Sequence, residues 1–352
     1  MLYICPTYDY ELFFGKSIYS DYEVLIEPTY RLLELYKQLG INFTLFADVC
    51  CFLKCKQVNP TFYNEVVKQL QIAVSENNDV QLHLHPHWCN ASFVNGKWEF
   101  KSDEYRIHSF SKEMQKRIVL SGIQFLADII KPVKNEYKVT SFRAGGYCLQ
   151  PESSFTTILY ENGIRIDSSV LSGGYKKNSS HYYDYRKNFN HTSYFFDYRK
   201  GTLFTQNSSN NAMLEIPIGT VSSFIKKLRI RSTLKKFDRP AIKGTFIDSK
   251  SSSFIDKVFR KITNFSNNPY LLEFDEWNSR SMMIILDSIL KKIDFINNDI
   301  YLSVVGHPKV SCKELLDNTR IFYEMLFEKY SNDVKVVSFS EVLEKFGTKL
   351  NL

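Results

Sequence analysis

The chain has 352 residues, 44% of them hydrophobic and 15% aromatic, which is enough to bury a sizeable core in one large domain or two. No run approaches the roughly 18 apolar residues that span a membrane, and the N-terminus lacks the basic and apolar regions of a secretory signal, so we expect a cytoplasmic protein. Seven cysteines without regular spacing predict free thiols. The net charge of +7 is mild, so it indicates a binding partner only where basic residues cluster.

The first half of the chain alternates short apolar runs with amphipathic helices. A strand over 2–7 leads into Tyr8-Asp9-Tyr10-Glu11, and Pro28 and Gly40 bracket a helix with one apolar face. The patterns then predict a strand over 41–46, a helix over 60–75, a strand over 79–84, a helix over 111–130 and a strand over 138–142 that ends in Arg143. This alternation is typical of a parallel α/β fold, in which the loops after the strands carry the chemistry.

Three of the seven histidines, His83, His85 and His87, lie within five residues at the end of the predicted strand 79–84. A strand would place them on one face, and Pro86 is expected to end the strand because it cannot donate to a sheet. Since neutral imidazole is a common ligand for zinc and similar ions, the cluster predicts a divalent-metal site. A histidine cluster without metal is the alternative.

The second half repeats the rhythm after an interruption. A helix from Pro151 to Gly163 and a strand over 164–166 lead into Asp167-Ser168-Ser169. The stretch of about 175–275 reads as an insertion within a single domain over 1–352, with one predicted strand at 213–218. The rhythm returns with a helix over 280–295, a strand over 300–305 that ends in Gly306-His307-Pro308, a helix over 313–330, a strand over 334–337 and a helix capped by Ser338 and Glu341.

The segment 225–240 carries seven basic residues and a single acid, with apolar residues between them. A solvated basic face is one interpretation. Contact with an anionic membrane surface, or with a phosphate-bearing glycan carrier, is the other. Nucleic acid is not expected, because no recognised nucleic-acid-binding module accompanies the segment.

Five of these strand ends resemble, in order, the five motifs of the polysaccharide deacetylases of carbohydrate esterase family 4. They are Thr7-Tyr8-Asp9-Tyr10-Glu11, His83 through His87, Ser141 through Tyr147, Asp167-Ser168-Ser169 and Val304 through Pro308. The resemblance covers most of the chain apart from about 175–275. It implies a distorted (β/α)7-type barrel with a long insertion before the last catalytic strand.

The resemblance also implies a metal, most consistent with Zn²⁺, held by Glu11, His83 and His87. Tyr10 stands where many members have the metal-binding Asp, so Glu11 must supply that carboxylate. His85 is the other possible ligand. We prefer His87 because the turn at Pro86 can bring positions four apart together while carrying His85 aside.

The implied catalytic residues come from four strand ends. Asp9 would be the general base and Arg143 would hold it ionised, while His307 would protonate the leaving amine. Asp167 would fix the tautomer of His307, although capping or turn formation is a common use of such an Asp. A backbone N–H near Tyr147 would stabilise the oxyanion, and Trp88 would lie at the substrate.

Together these features predict a metal-dependent hydrolase that removes an N-acetyl or N-formyl group from a sugar during surface-glycan biosynthesis, on capsule or lipopolysaccharide precursors. The substrate would be an N-acylated sugar or a lipid-linked glycan, and the enzyme would be cytoplasmic with possible peripheral membrane contact. The competing interpretation is a glycan-binding or scaffolding relative that has lost the metal through Tyr10.

Overall fold

The computed structural model describes residues 1–14, 20–95, 97–188, 190–206, 211–222, 227–228, 230, 268–291 and 293–346. The strands in these residues are β1 (Leu2–Tyr10), β2 (Thr44–Asp48), β3 (Asp79–Leu84), β4 (Ser92–Val94), β5 (Lys97–Glu99), β6 (Ser141–Ala144), β7 (Ile166–Asp167), β8 (Tyr175–Lys177), β9 (Tyr182–Asp184), β10 (Tyr194–Asp197), β11 (Thr205–Gln206), β12 (Ala212–Glu215), β13 (Thr220–Val221), β14 (Tyr270–Leu271), β15 (Ile300–Gly306) and β16 (Val334–Val336). The helices are α1 (Glu27–Leu39), α2 (Val49–Val58), α3 (Pro60–Ser75), α4 (Lys112–Ile130), α5 (Ser153–Glu161), α6 (Ser279–Leu290), α7 (Lys313–Tyr330) and α8 (Phe339–Phe346).

The main sheet has the order β11-β10-β12-β7-β6-β3-β2-β1-β15, and β16 also pairs with β1. Its central strands are parallel from β12 through β15. The segment after β12 runs between the two sides, because Ile218 forms parallel bridges to both Leu171 and Ser303. The sheet therefore curls into a distorted (β/α) barrel.

An apolar layer fills the lower part of the barrel. It consists of side chains from β1, β2, β7, β12, β15 and α8, namely Cys5, Phe46, Ile166, Leu214, Ile216, Tyr301, Phe339 and Val342. Arg143 lies directly above this layer, with its guanidinium 4.3 Å from the centre of the Phe46 ring. The candidate site residues lie at and above the level of Arg143.

The opposite face of β1 packs against the outer helices. Tyr8 reaches α1 and α7 through a chain of buried hydroxyls, in which Tyr36 Oη lies 3.2 Å from Tyr8 Oη and 3.0 Å from Tyr323 Oη. Tyr10 donates to Gln69 Oε1 on α3 at 2.8 Å. Because side chains alternate along a strand, these contacts direct Asp9 and Glu11 to the inside of the barrel.

Most predicted elements are confirmed, and several boundaries agree with the prediction to the residue. Pro60–Ser75, Asp79–Leu84 and Lys313–Tyr330 are as predicted, and Ser338 and Glu341 form the predicted capping box. The hydrophobic pattern did not predict α2, a short helix that is rich in cysteine.

The stretch of about 175–275 holds more strands than the single one predicted. Its described residues include β8 to β14, and β12 belongs to the barrel sheet itself, between β10 and β7. The basic segment 225–240 lies almost wholly outside the described residues, so its predicted surface contact stays a prediction. Among the helices of the described residues, none combines the length and apolar character needed to cross a membrane.

The tyrosine chain yields a test of how β1 is held. Tyr36→Phe removes the middle hydroxyl, so two buried hydrogen bonds are lost and we expect the free energy of unfolding to fall by about 1–3 kcal/mol. Tyr323→Phe removes only the terminal hydroxyl and should cost about half as much. Urea denaturation of the three proteins measures the difference. Equal stability of wild type and Tyr36→Phe would contradict a structural role for this chain.

Candidate active site

Asp9 is held by a fully buried arginine. Arg143, at the end of β6, donates from Nη1 to Asp9 Oδ1 at 2.6 Å. Its remaining donors reach Ser168 O at 2.9 Å, Ser168 Oγ at 3.0 Å and Ser303 Oγ at 3.1 Å, so the guanidinium is fixed on three sides. Burial alone would raise the pKa of Asp9, but Arg143 outweighs it and holds that pKa below its usual value.

Glu11, just past β1, meets two histidines of the predicted cluster. His85 Nε2 lies 2.6 Å and His83 Nε2 3.2 Å from the same oxygen, Glu11 Oε2. The three ligand atoms lie within 4.8 Å of one another, and all three side chains are buried. One carboxylate and two imidazoles form a donor set that suits zinc with open positions for a substrate.

The hydrogen bonding of His83 supports a cation at this point. Its Nδ1 lies 2.9 Å from the carbonyl oxygen of Arg143, which can only accept, so Nδ1 must carry a proton. In a neutral ring, Nε2 is then an electron-pair donor that faces the carboxylate oxygen, and only a proton or a metal ion between them relieves the repulsion. A backbone carbonyl that fixes the second nitrogen in this way is typical of metal-bound histidines.

Protonation in the metal-free group follows from the same contacts. Burial alone would lower the pKa of His83, but the carboxylates of Asp9 and Glu11 outweigh it and raise that pKa to about 9. Burial lowers the pKa of His85 to about 4 despite the contact with Glu11. His85 is therefore neutral near pH 7.

The structure differs from the prediction in the choice between His85 and His87. β3 ends at Leu84, the His85 N–H donates to Asp48 Oδ1 at 3.1 Å, and the 3-10 turn Pro86–Asn90 begins only after His85. His85 therefore keeps the face of His83, while the turn carries His87 away. The His87 ring stacks on Tyr105 with the planes 7° apart and the centres 5.2 Å apart.

The structure also bears on Trp88, which was expected at the substrate, and on Gly145, which lies close to His85. Trp88 is completely buried and packs edge-on against Trp98 and Phe100, so its indole presents no surface to a substrate. Gly145 follows β6 and passes so close to His85 that a Cβ atom there would lie 2.6 Å from Nδ1. Only glycine allows this approach, which holds the His85 ring towards Glu11.

His307 follows β15 and lies over both carboxylates. Its Nε2 is 3.6 Å from Asp9 Oδ2 and 3.7 Å from Glu11 Oε1. The side chain is 20% exposed, against 5% for each carboxylate, so His307 is the member of this group that solvent reaches most easily.

The partner of His307 is Asp275, which sequence reasoning missed. Asp275 Oδ2 lies 2.6 Å from His307 Nδ1, and its Oδ1 accepts from the His307 backbone N–H at 3.0 Å. Glu273 pairs with Val305 on β15, and two residues further along Asp275 comes opposite His307. Burial alone would lower the pKa of His307, but Asp275 outweighs it, and the pKa is raised.

The expectation that Asp167 fixes the tautomer of His307 is therefore corrected. Asp167 accepts from the N–H and hydroxyl of Ser169, at 3.1 and 2.8 Å, which is the turn-forming role. It also lies beside Glu215, its register partner on the neighbouring strand β12. Burial raises the pKa of both carboxyls, and the proximity of Asp167 adds to the rise for Glu215, so the pair favours a shared proton.

Tyr147 lies at the end of the turn Gly145–Tyr147 with a φ of +62°, a conformation that is unusual for a bulky residue. Gly146 before it has a φ of +56°, so two successive residues are left-handed. The Tyr147 carbonyl accepts from Tyr185 Oη at 3.0 Å. Strained backbone of this kind often occurs at functional sites, which keeps the Tyr147 N–H a candidate oxyanion donor.

Sequence reasoning also missed Asp48 and Lys309. Asp48 ends β2 and anchors the His85 backbone, and burial raises its pKa well above the usual range. Lys309 follows His307 by two residues and binds Glu11. The alternation of side chains in the apolar run before Asp275 could have predicted a strand there. Nothing in the local sequence marks Lys309 as a site residue.

No family model matches the sequence, and no curated protein matches it either. Solved structures do resemble the fold. A protein of Mycobacterium smegmatis assigned to the polysaccharide deacetylases superimposes with a TM-score of 0.51 at 12% identity, over 99% of this chain and 90% of that one. One of Pseudomonas aeruginosa PAO1, with the same assignment, gives a TM-score of 0.51 at 11% identity, over 100% and 92%. The chain has the fold of the polysaccharide deacetylases.

The placement of the histidines predicts which of them hold a metal. His85→Phe keeps a planar ring but removes both nitrogens, so stoichiometric zinc should be lost. His87→Phe, the matched control, should retain it, because that ring packs among aromatic residues away from Glu11. Metal content after dialysis measures both, with circular dichroism to verify folding. Zinc lost only from His87→Phe would reject the set Glu11, His83 and His85.

Asp275 and Asp167 are expected to differ in their effect on the pKa of His307. Asp275→Asn removes the negative charge that stabilises the protonated imidazole, so the pKa of His307 should fall by about one unit or more. Asp167→Asn should leave it close to the wild-type value. An NMR titration of the His307 ring in metal-free protein gives both numbers. The opposite ranking would restore the role that the sequence suggested for Asp167.

Proposed function

We propose that this protein is a metal-dependent amide hydrolase that removes an N-acyl group, acetyl or formyl, from a sugar. The observation that carries the proposal is the convergence of three units at one end of the barrel. These are the ion pair of Asp9 with Arg143, the Glu11-His83-His85 group, and His307 with Asp275. Each supplies a function that amide hydrolysis needs.

Asp9 is suited to accept a proton from the attacking water. Arg143 occupies Oδ1 and keeps the group ionised, which leaves Oδ2 on the side of His307. A low pKa makes Asp9 a weak base, so its effect depends on an acidic water. A bound divalent ion such as zinc would lower the pKa of that water and polarise the acyl carbonyl.

His307 is suited to give the leaving amine its proton. Asp275 holds the proton on Nδ1 and raises the pKa of the ring, which favours protonation of Nε2 as well. Nε2 faces the carboxylates, and the partial exposure of the His307 side chain suits the approach of a leaving group. The two proton-transfer groups therefore lie on neighbouring strands, β1 and β15.

The substrate class is proposed more finely from the sequence. An N-acylated amino sugar, free or lipid-linked, in surface-glycan biosynthesis fits the fold and the acidic and basic groups of the site. Peripheral contact of the basic segment 225–240 with an anionic membrane would suit a lipid-linked substrate. Tyr10 gives no support to the binding-only alternative, because it faces α3 and Glu11 takes the ligand position.

The test is acyl release from a panel of N-acetyl and N-formyl amino sugars, free and lipid-linked, with zinc supplied. Asp9→Asn is nearly isosteric and removes only the accepting charge, so the rate should fall by roughly 10²–10⁴-fold while zinc is retained. His307→Ala should lose a similar factor. The double variant should lose far less than the product of the two, because groups that act as a unit are not additive.

Asp79→Asn is the matched control. Asp79 is also a buried aspartate, but it begins β3 at the end opposite to His83 and accepts from the Ser340 N–H at 3.0 Å. Its replacement should leave acyl release unchanged. A wild type that binds glycans but turns over no member of the panel would overturn the hydrolase proposal in favour of a glycan-binding protein.

A further inference from the structure

A lysine ammonium lies against the carboxylate of the candidate metal group. Lys309 belongs to the short 3-10 turn Pro308–Val310, which follows β15. Its Nζ donates to Glu11 Oε1 at 2.5 Å and to the Leu12 carbonyl at 3.4 Å. The side chain is 11% exposed and runs over the rings of Phe13 and Phe14, with Nζ 5.5 and 4.9 Å from their centres.

The lysine divides the Glu11 carboxylate between two kinds of partner. Oε1 is taken by Lys309, and only Oε2 faces His83 and His85. A metal would therefore find one oxygen of Glu11 free to bind, not two. The aromatic rings and the low exposure leave the ammonium little room to turn away towards solvent.

The carboxylates of Asp9 and Glu11 each have a cationic side chain beside them before any metal binds. Asp9 is paired with Arg143, and Glu11 is paired with Lys309. A divalent ion added beside Glu11 Oε2 enters a group whose negative charge is already matched. It also meets a fixed positive charge across a single carboxylate, where weak solvent screening makes the repulsion strong.

We propose that Lys309 is a tethered cation that takes the place of part of the metal's charge, stabilises the metal-free protein and lowers its affinity for divalent metal. The inference rests on the proposed metal group of Glu11, His83 and His85. The charge of Lys309 makes the bound metal exchangeable and makes the fold independent of the metal. The lysine acts through Glu11 and is a positioning residue.

Three variants test the proposal. Lys309→Met keeps an apolar stem over the two phenylalanine rings and removes the charge, whereas Lys309→Arg keeps the charge. Lys329→Met, the control, removes an exposed lysine of α7 that pairs with Asp287 at 2.5 Å. Zinc affinity is measured by competition with a chromophoric chelator at fixed pH, and thermal unfolding is measured in excess chelator.

Lys309→Met should bind zinc at least about tenfold more tightly than wild type, because the repulsion is gone while His83 and His85 still hold Glu11. Without metal it should unfold at a lower temperature, since Glu11 is then a buried carboxylate without its cation. Lys309→Arg should stay near wild type in both measurements. Lys329→Met should leave the zinc affinity unchanged.

The outcomes separate this inference from the proposed function. Stoichiometric zinc in wild type with an equal or weaker affinity in Lys309→Met overturns the inference alone. Lys309→Arg binding as tightly as Lys309→Met also overturns it, because charge is then not the cause. No zinc in either wild type or Lys309→Met rejects the inference together with the metal group. Zinc in Lys309→Met but not in wild type supports it.

Discussion

The buried ion pair between Arg143 and Asp9 is the constraint on which the site depends. A guanidinium with no exposed surface is costly unless it is hydrogen-bonded, and here Asp9, Ser168 and Ser303 accept four hydrogen bonds from it. Asp9 comes from β1, Ser168 follows β7 and Ser303 belongs to β15. The same pair therefore joins strands across the barrel and keeps Asp9 ionised.

The pair also divides the barrel into two levels. Below it, Phe46 and its apolar neighbours exclude water and make the polar contacts above more effective. Above it, the alternation of β1 and β3 brings Glu11 towards His83 and His85. Each carboxylate at this level has its own cation, Arg143 for Asp9 and Lys309 for Glu11.

The prediction of His87 instead of His85 failed because it placed the start of the turn one residue too early. The strand ends at Leu84, close to the proline as the sequence predicts, but the turn begins only at Pro86 and leaves His85 outside it. A hydrogen bond from its backbone to Asp48 and the close approach of Gly145 hold it there. Both partners come from other strands, so the segment 83–87 alone could not reveal them.

The sequence by itself determined most of the strands and helices outside about 175–275, because hydrophobic periodicity, prolines and glycines act over a few residues. It also determined that Asp9, Glu11, His83, Arg143 and His307 meet, since the carboxyl ends of parallel strands share one edge. Only the tertiary structure decided that Asp275 partners His307 and that Lys309 binds Glu11. The first contact depends on the register in which the segment with Glu273 and Asp275 pairs with β15, about 30 residues further along the chain. The second joins residues almost 300 positions apart, with the lysine ammonium over the rings of Phe13 and Phe14.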